Sequence, residues 1–187
     1  MKLKKMKLRE YLLYSAIIAA GIFLDQLTKW LAVKFLSPID TQPLWEGVLH
    51  LTYVENRGAA FGMLSGQRYV FMIISTVMII GMAFYLFAGM CENLLYGISV
   101  SMIVSGGIGN MIDRIAAGYV VDFIDFRLID FAVFNGADSF VCVGAGLLVL
   151  ALILDIVRES SEKRTTNAGG STDISDGKNS DIGADGQ

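Results

Sequence analysis

The stretch VVDFIDFRLIDFAVFNGADSF, residues 120–140, sets four aspartates among five phenylalanines. Two of the acids, Asp122 and Asp138, are embedded in apolar sequence. Carboxyl groups that share a partly desolvated site cannot both ionise cheaply, so one of them keeps a proton near neutral pH. The ionised member can then draw a proton from water while the protonated member polarises a peptide carbonyl. That chemistry requires neither a metal nor a covalent nucleophile. Rival nucleophiles are weak: Ser139 has no histidine partner, and Cys91 and Cys142 lie in or beside apolar runs that would not activate a thiol.

Asp138 also has a plainer reading, since with Asn135 it stands where a helix N-cap belongs. Asp125 and Asp130 read as solvated loop carboxylates, with Arg127 placed to pair with either. If residues 120–126 form a short strand, Asp122 and Asp125 fall on opposite faces of it.

The elements that must position these acids follow from hydrophobicity. Of 187 residues, 54% are hydrophobic and 18% charged, and the net charge is -3. Soluble domains run at roughly 45–50% apolar and about 25% charged, so the composition is that of a membrane protein. Runs near the roughly 20 residues needed to cross a bilayer occur at 11–30, 69–90, 94–112 and 139–157. The expected fold is an all-α membrane protein: four transmembrane helices in a domain of residues 1–158, with extracytoplasmic segments at 31–68 and 113–138. Residues 159–187 hold no aromatic residue and read as a disordered cytoplasmic tail. The N-terminus has the basic-then-apolar layout of a signal peptide, but Asp25 and Lys29 follow where a small-residue cleavage site would be. It is expected to be a retained first span.

Orientation follows from Lys and Arg beside the spans. Lys2, Lys4, Lys5, Lys7 and Arg9 precede the first, and Arg158, Lys163 and Arg164 follow the last, so both termini are expected in the cytoplasm. At 1.5 Å per residue, Asp25 lies roughly 22 Å, Asn110 roughly 25 Å and Asp138 roughly 30 Å from the cytoplasmic ends of their spans. The polar residues of three spans thus converge on the extracytoplasmic surface.

Each cluster has a helical logic. Asp25 and Lys29 are spaced i, i+4, the acid first, as an ion pair prefers; the plain alternative is a lysine that snorkels to the interface. Asn110, Asp113 and Arg114 share one helix face, and Gly106, Gly107 and Gly109 permit close approach of a neighbour. Residues 49–55 alternate as a strand does, and Asn56-Arg57-Gly58 reads as a turn. His50 and the two cysteines match no metal-ligand spacing, and no basic stripe suits a nucleic acid outside the N-terminal tail. No cofactor or metal is expected. Acids gathered at one surface argue against a proton-coupled transporter, whose site belongs near the midplane.

DQLTKW, NRGAAFG, GGIGNMIDRI, VVDFIDF and FNGADS, in this order between four spans, closely resemble the motifs of bacterial lipoprotein signal peptidase (signal peptidase II) over roughly residues 8–157. The resemblance implies a catalytic aspartyl dyad of Asp122 and Asp138. It implies that Asp25, Lys29, Asn56, Arg57, Asn110, Asp113, Arg114 and Asn135 brace the site or contact substrate. It also implies a small extracytoplasmic β-sheet cradle between spans one and two. The implied substrates are prolipoproteins carrying a diacylglyceryl-cysteine, held at the outer face of the plasma membrane by a monomeric enzyme among membrane lipids. The implied inhibitor is globomycin. Gly136 departs from the family, where a β-branched residue is common, and loosens the backbone there. Phe123, Phe126, Phe131, Phe134 and Phe140 are expected to limit water at the site, with core packing the alternative for at least two.

Overall fold

A computed structural model describes residues 6–58, 68–91 and 93–169 of the chain. In chain order the elements are α1 (Leu8–Phe35), β1 (Thr41–Trp45), β2 (Leu49–Asn56), α2 (Arg68–Phe87), α3 (Leu94–Ala116), β3 (Val120–Asp125), a short 3-10 turn (Arg127–Ile129) and α4 (Gly136–Gly169). The chain forms two compact units that divide within α4, after Leu148. The first holds every element of the site.

Among the described residues three helices are long and apolar enough to cross a membrane: Leu8–Phe35, Leu94–Ala116 and, within α4, Gly136–Ser161. The corresponding apolar stretch of α2 is shorter, Met72–Phe87. Phe23, Trp30, Ile73, Ile80 and Phe84 are exposed, as side chains that face lipid must be. This is an integral membrane protein.

Local chemistry sets the helix ends. Glu10 reaches back to accept the Lys7 N–H at 2.9 Å and closes the start of α1. Pro38, two residues past the α1 cap Leu36, prevents the helix from continuing. Asn93 caps α3 by accepting the N–H groups of Leu95 and Tyr96 at 3.0 and 3.2 Å.

The most enclosed of the three candidate spans is α3, with Gly97, Ser99, Ser101, Ser105, Gly106 and Gly109 among its buried residues. Small side chains let its neighbours approach closely, as in membrane helix pairs generally. A Cβ on Gly106 would overlap the Ala137 carbonyl oxygen, and one on Gly109 would stand 2.5 Å from Asp25 Oδ2. These two glycines therefore admit α4 and the Asp25 carboxylate to the flank of α3.

The sheet is antiparallel, in the order β1-β2-β3. A cradle was expected from the first connection alone, yet its third strand comes from the segment between α3 and α4. Val54 pairs with Asp122, and Asn56 with Val120. Strand β3 packs its Val121 against Ala32 and Leu36 of α1, with Phe123 beside them. The sheet is thus pinned to the end of the first helix.

Two boundaries differ from expectation. Helix α4 starts at Gly136, before the expected 139, because Asn135 caps it. It also continues past the apolar run to Gly169, since no proline or glycine interrupts 159–168 and Glu159 pairs with Lys163 one turn on at 3.9 Å. Residues 170–187 of the expected tail, and Ala59 to Gly62 of the NRGAAFG motif, lie outside the described residues.

Candidate active site

Lys29 lies at the centre of the polar cluster. One turn beyond Asp25 on α1, it is only 4% exposed. Its ammonium lies 2.8 Å from Asp25 Oδ2, 2.8 Å from Asp113 Oδ2 and 2.8 Å from Asn110 Oδ1. Two carboxylates and an amide oxygen surround the ammonium, which offsets the cost of burying a cation. The side chain therefore turns inward and does not snorkel.

Asp25 carries a second duty. Its Oδ1 accepts the backbone N–H of Ala137 at 2.8 Å, at the first turn of α4. A carboxylate at a helix N-terminus satisfies an orphan donor and complements the dipole. Gln26, which sequence reasoning missed, donates to Asp113 Oδ1 at 2.9 Å, to Asp25 Oδ2 at 3.2 Å and to the Gly109 carbonyl at 3.3 Å. Its only sequence signal was its place inside DQLTKW.

Three asparagines then carry the network to the two acids. Asn110 accepts from Lys29 on Oδ1 and donates from Nδ2 to Asp138 Oδ1 at 2.7 Å. Asn135 donates from Nδ2 to Asp122 Oδ1 at 2.6 Å and to Asn110 Oδ1 at 3.1 Å. Its own Oδ1 accepts the Asp138 N–H at 2.9 Å, while the Asn135 N–H donates to Asp138 Oδ2 at 3.3 Å. That reciprocal pair is a capping box in which Asn135 is the N-cap and Asp138, the third residue of α4, is its partner, so Asp138 is not itself the cap. Asn56 donates to Asp122 Oδ2 at 2.9 Å and accepts the Gly58 N–H at 3.0 Å, which makes the expected turn.

Asp122 is 2% exposed. Burial pushes its carboxyl up to about 6; the bond from Asn56 opposes this and the charge of Asp138 adds to it. A cleft of about 960 Å³ opens beside both acids. Asn56, Asn110 and Arg114 line it on one side, and Phe131, Val133, Phe134, Val141 and Cys142 supply an apolar wall. Arg114 donates to the Asn110 carbonyl at 3.3 Å and also borders the cleft.

Arg57 reaches the cleft only at its rim. Its guanidinium pairs with Glu55 at 2.8 Å, lies over the Tyr119 ring at 5.3 Å, and leaves the side chain 72% exposed. Asp125 is a correction: it is buried, not solvated, because β3 turns it away from Asp122 toward Thr52 and Arg127. Burial alone would raise its carboxyl, but those two hydrogen bonds outweigh it and hold the group below the usual range. Of the five phenylalanines, Phe131 and Phe134 line the cleft, and Phe126 stacks on Phe134. Phe123 packs into the α1–β3 core and Phe140 lies against Gly21.

A family model described as signal peptidase (SPase) II matches residues 17–154. The chain is 51% identical over 137 residues to a lipoprotein signal peptidase of Caldanaerobacter subterraneus subsp. tengcongensis, covering 73% of this chain and 93% of that one. It is 40% identical over 154 residues to a lipoprotein signal peptidase of Halalkalibacterium halodurans, covering 81% and 99%. A solved bacterial membrane enzyme superposes with a TM-score of 0.73 at 32% identity, over 83% of this chain and 94% of that one. Matches of this extent, over a region that holds Asp122, Asp138 and every residue around them, identify the chain as a member of the signal peptidase II family.

Proposed function

We propose that the protein is an aspartyl endopeptidase that removes the signal peptide from diacylglyceryl-modified prolipoproteins, cutting before the lipidated cysteine. The observation that carries this is the pair of acids, Asp122 and Asp138, bridged by one buried asparagine at the side of an apolar-walled cleft. Asp122 is held at a pKa of about 6 by burial, which suits a group that must keep or lose a proton near neutral pH. The apolar wall matches a substrate whose signal peptide is a lipid-held helix and whose cysteine bears acyl chains. In this reading Arg114 and Asn56 donate to the substrate backbone and to the scissile carbonyl oxygen as negative charge builds on it, before Asp122 protonates it.

The topology we assign has four spans, α2 included, with both termini in the cytoplasm and the acids at the extracytoplasmic face. It rests on the basic residues before α1 and after the apolar run of α4. Residues 1–158 form the peptidase domain, and the enzyme acts as a monomer that globomycin inhibits.

The test uses purified protein in lipid and a diacylglyceryl-modified prolipoprotein, with loss of the signal peptide followed by gel shift. Wild type cleaves, chelators leave the rate unchanged, and folded Asp122→Asn and Asp138→Asn do not cleave. Undiminished cleavage by both variants would remove the aspartyl mechanism.

A further inference from the structure

The surroundings of the two acids differ in a way that assigns their resting charge. Asp138 is the third residue of α4, where free N–H groups and aligned peptide dipoles favour an anion. Its Oδ2 accepts a backbone N–H from Asn135 at 3.3 Å, and its Oδ1 accepts Asn110 Nδ2 at 2.7 Å. That Asn110 amide is polarised from behind, because its Oδ1 accepts from the Lys29 ammonium at 2.8 Å. A cation therefore stands one amide away from Asp138. It also fixes which end of Asn110 faces the acid: with Lys29 on the oxygen, only the NH2 can turn toward Asp138.

Asp122 has a different setting. It lies inside β3, and among the described residues no helix backbone N–H donates to it. Its donors there are two neutral amides, Asn56 Nδ2 at 2.9 Å and Asn135 Nδ2 at 2.6 Å, while the charges of Lys29 and Arg114 reach both acids through space. The oxygens of those amides are held by the backbone N–H groups of Gly58 and Asp138. Strand dipoles largely cancel, so the backbone gives Asp122 no comparable support for a charge.

We propose that Asp138 is the resting carboxylate of the pair and Asp122 its resting acid, an assignment that rests on reading the two as the aspartyl dyad. Asp122 is buried whereas Asp138 is only partly so, and the deeper carboxyl is the costlier one to ionise.

The roles in hydrolysis follow. Water attacks the scissile carbonyl carbon as Asp138 takes one of its protons, and Asp122 gives its proton to the carbonyl oxygen. A neutral gem-diol results, with Asp138 protonated and Asp122 ionised. In the second step the leaving nitrogen takes the proton from Asp138 as the C–N bond breaks. One diol hydroxyl returns its proton to Asp122 as the new carboxyl forms. One water is consumed, one peptide bond is cut, and both acids regain their starting states.

Carbon-13 labelling of aspartate in the full-length protein in lipid vesicles reads the protonated carboxyl by its infrared carbonyl band. Spectra of Asp122→Asn and Asp138→Asn are each taken as differences from the double variant. At about pH 6 the protonated band in Asp138→Asn exceeds that in Asp122→Asn by at least about threefold, inside the roughly fivefold that one unit of proton affinity provides at that pH. Equal bands, or the larger band in Asp122→Asn, overturn the assignment. Serine replaces asparagine at either position if a variant fails to fold. The same samples are assayed for cleavage, which separates the two readings. If both variants still cleave, the dyad itself falls. If neither cleaves and the bands are reversed, only the division of roles falls.

Discussion

Asp25 on α1 accepts the N–H of Ala137 on α4 at 2.8 Å, across a sequence separation of 112 residues. The same carboxylate pairs with Lys29, so the residue that neutralises the cation also holds the first turn of the helix that presents Asp138. Asp25→Ala leaves Lys29 with an incomplete shell and Ala137 without its acceptor. Removing one partner of a buried pair typically costs about 3–5 kcal/mol. We expect a lower thermal midpoint in detergent and little residual cleavage. Asp25→Asn, which can still accept from Ala137, should be milder. Equal behaviour of the two variants would separate Asp25 from the capping of α4.

Stability should also report the state of Asp122. Its ordinary value is 3.8 and its folded value is about 6. Because the folded state binds the proton more tightly, stability is fullest below about pH 4 for this group and is lost as pH rises to about 6. The difference is on the order of 3 kcal/mol. The thermal midpoint of the wild type, scanned over that window, should carry this falling contribution, and Asp122→Asn should lack it. Parallel curves for the two proteins would contradict the raised value.

Asn56→Ala acts on the same group from the other side. The Asn56 amide favours the charged form of Asp122, so its loss moves the carboxyl higher. The alkaline limb of kcat/KM should shift to higher pH while the maximum falls. A limb that stays in place would mean that this hydrogen bond does not govern the titration.

Arg114→Ala is expected to lower kcat by about 10²-fold, the usual loss when one donor to an oxyanion is removed. The thermal midpoint is a necessary control, because Arg114 also donates to the Asn110 carbonyl. Unchanged cleavage by a folded variant would take Arg114 out of the reaction.

Gly136 opens α4, and an added Cβ there would lie 3.5 Å from Asp25 Oδ1 and 3.6 Å from Thr28 Oγ1, ordinary contact distances. Gly136→Ala should therefore stabilise the protein by about 0.4–1 kcal/mol by restricting the unfolded chain, with cleavage retained. A fall in the thermal midpoint would show that the first turn of α4 needs the freedom of glycine.

The hydrophobic runs and the polar positions within them were readable from the chain, because burial in lipid demands long apolar segments and makes each intramembrane charge conspicuous. Asp25, Lys29 and Asn110 stood out within the runs, and Asp122 and Asp138 in the apolar sequence between them, whereas Asn56 and Asn135 entered the site through the resemblance to the family. The closing of the network was not readable. Gln26 looks like any polar residue next to an acid, and its bridge to Asp113 depends on how α1 meets α3. Asp125 resembles Asp122 in sequence, and only the pairing of β3 with β2 sends one toward Thr52 and the other toward Asn56. Arg57 lies one residue past Asn56, yet the turn leaves it at the rim, paired with Glu55. The third strand was visible as a segment but not as a member of the sheet, since strand partnership is a long-range choice.

The third strand also bears on biosynthesis. Strand β2 leaves the ribosome long before β3, and Asp138 follows still later, so the central strand waits with one edge unpaired while α2 and α3 are made. A nascent chain that ends before α4 lacks one of the two acids and the backbone N–H that Asp25 is set to receive. On the aspartyl reading proposed above, proteolytic competence appears only once the last helix has joined the others, and an unfinished copy stalled in the membrane cuts nothing.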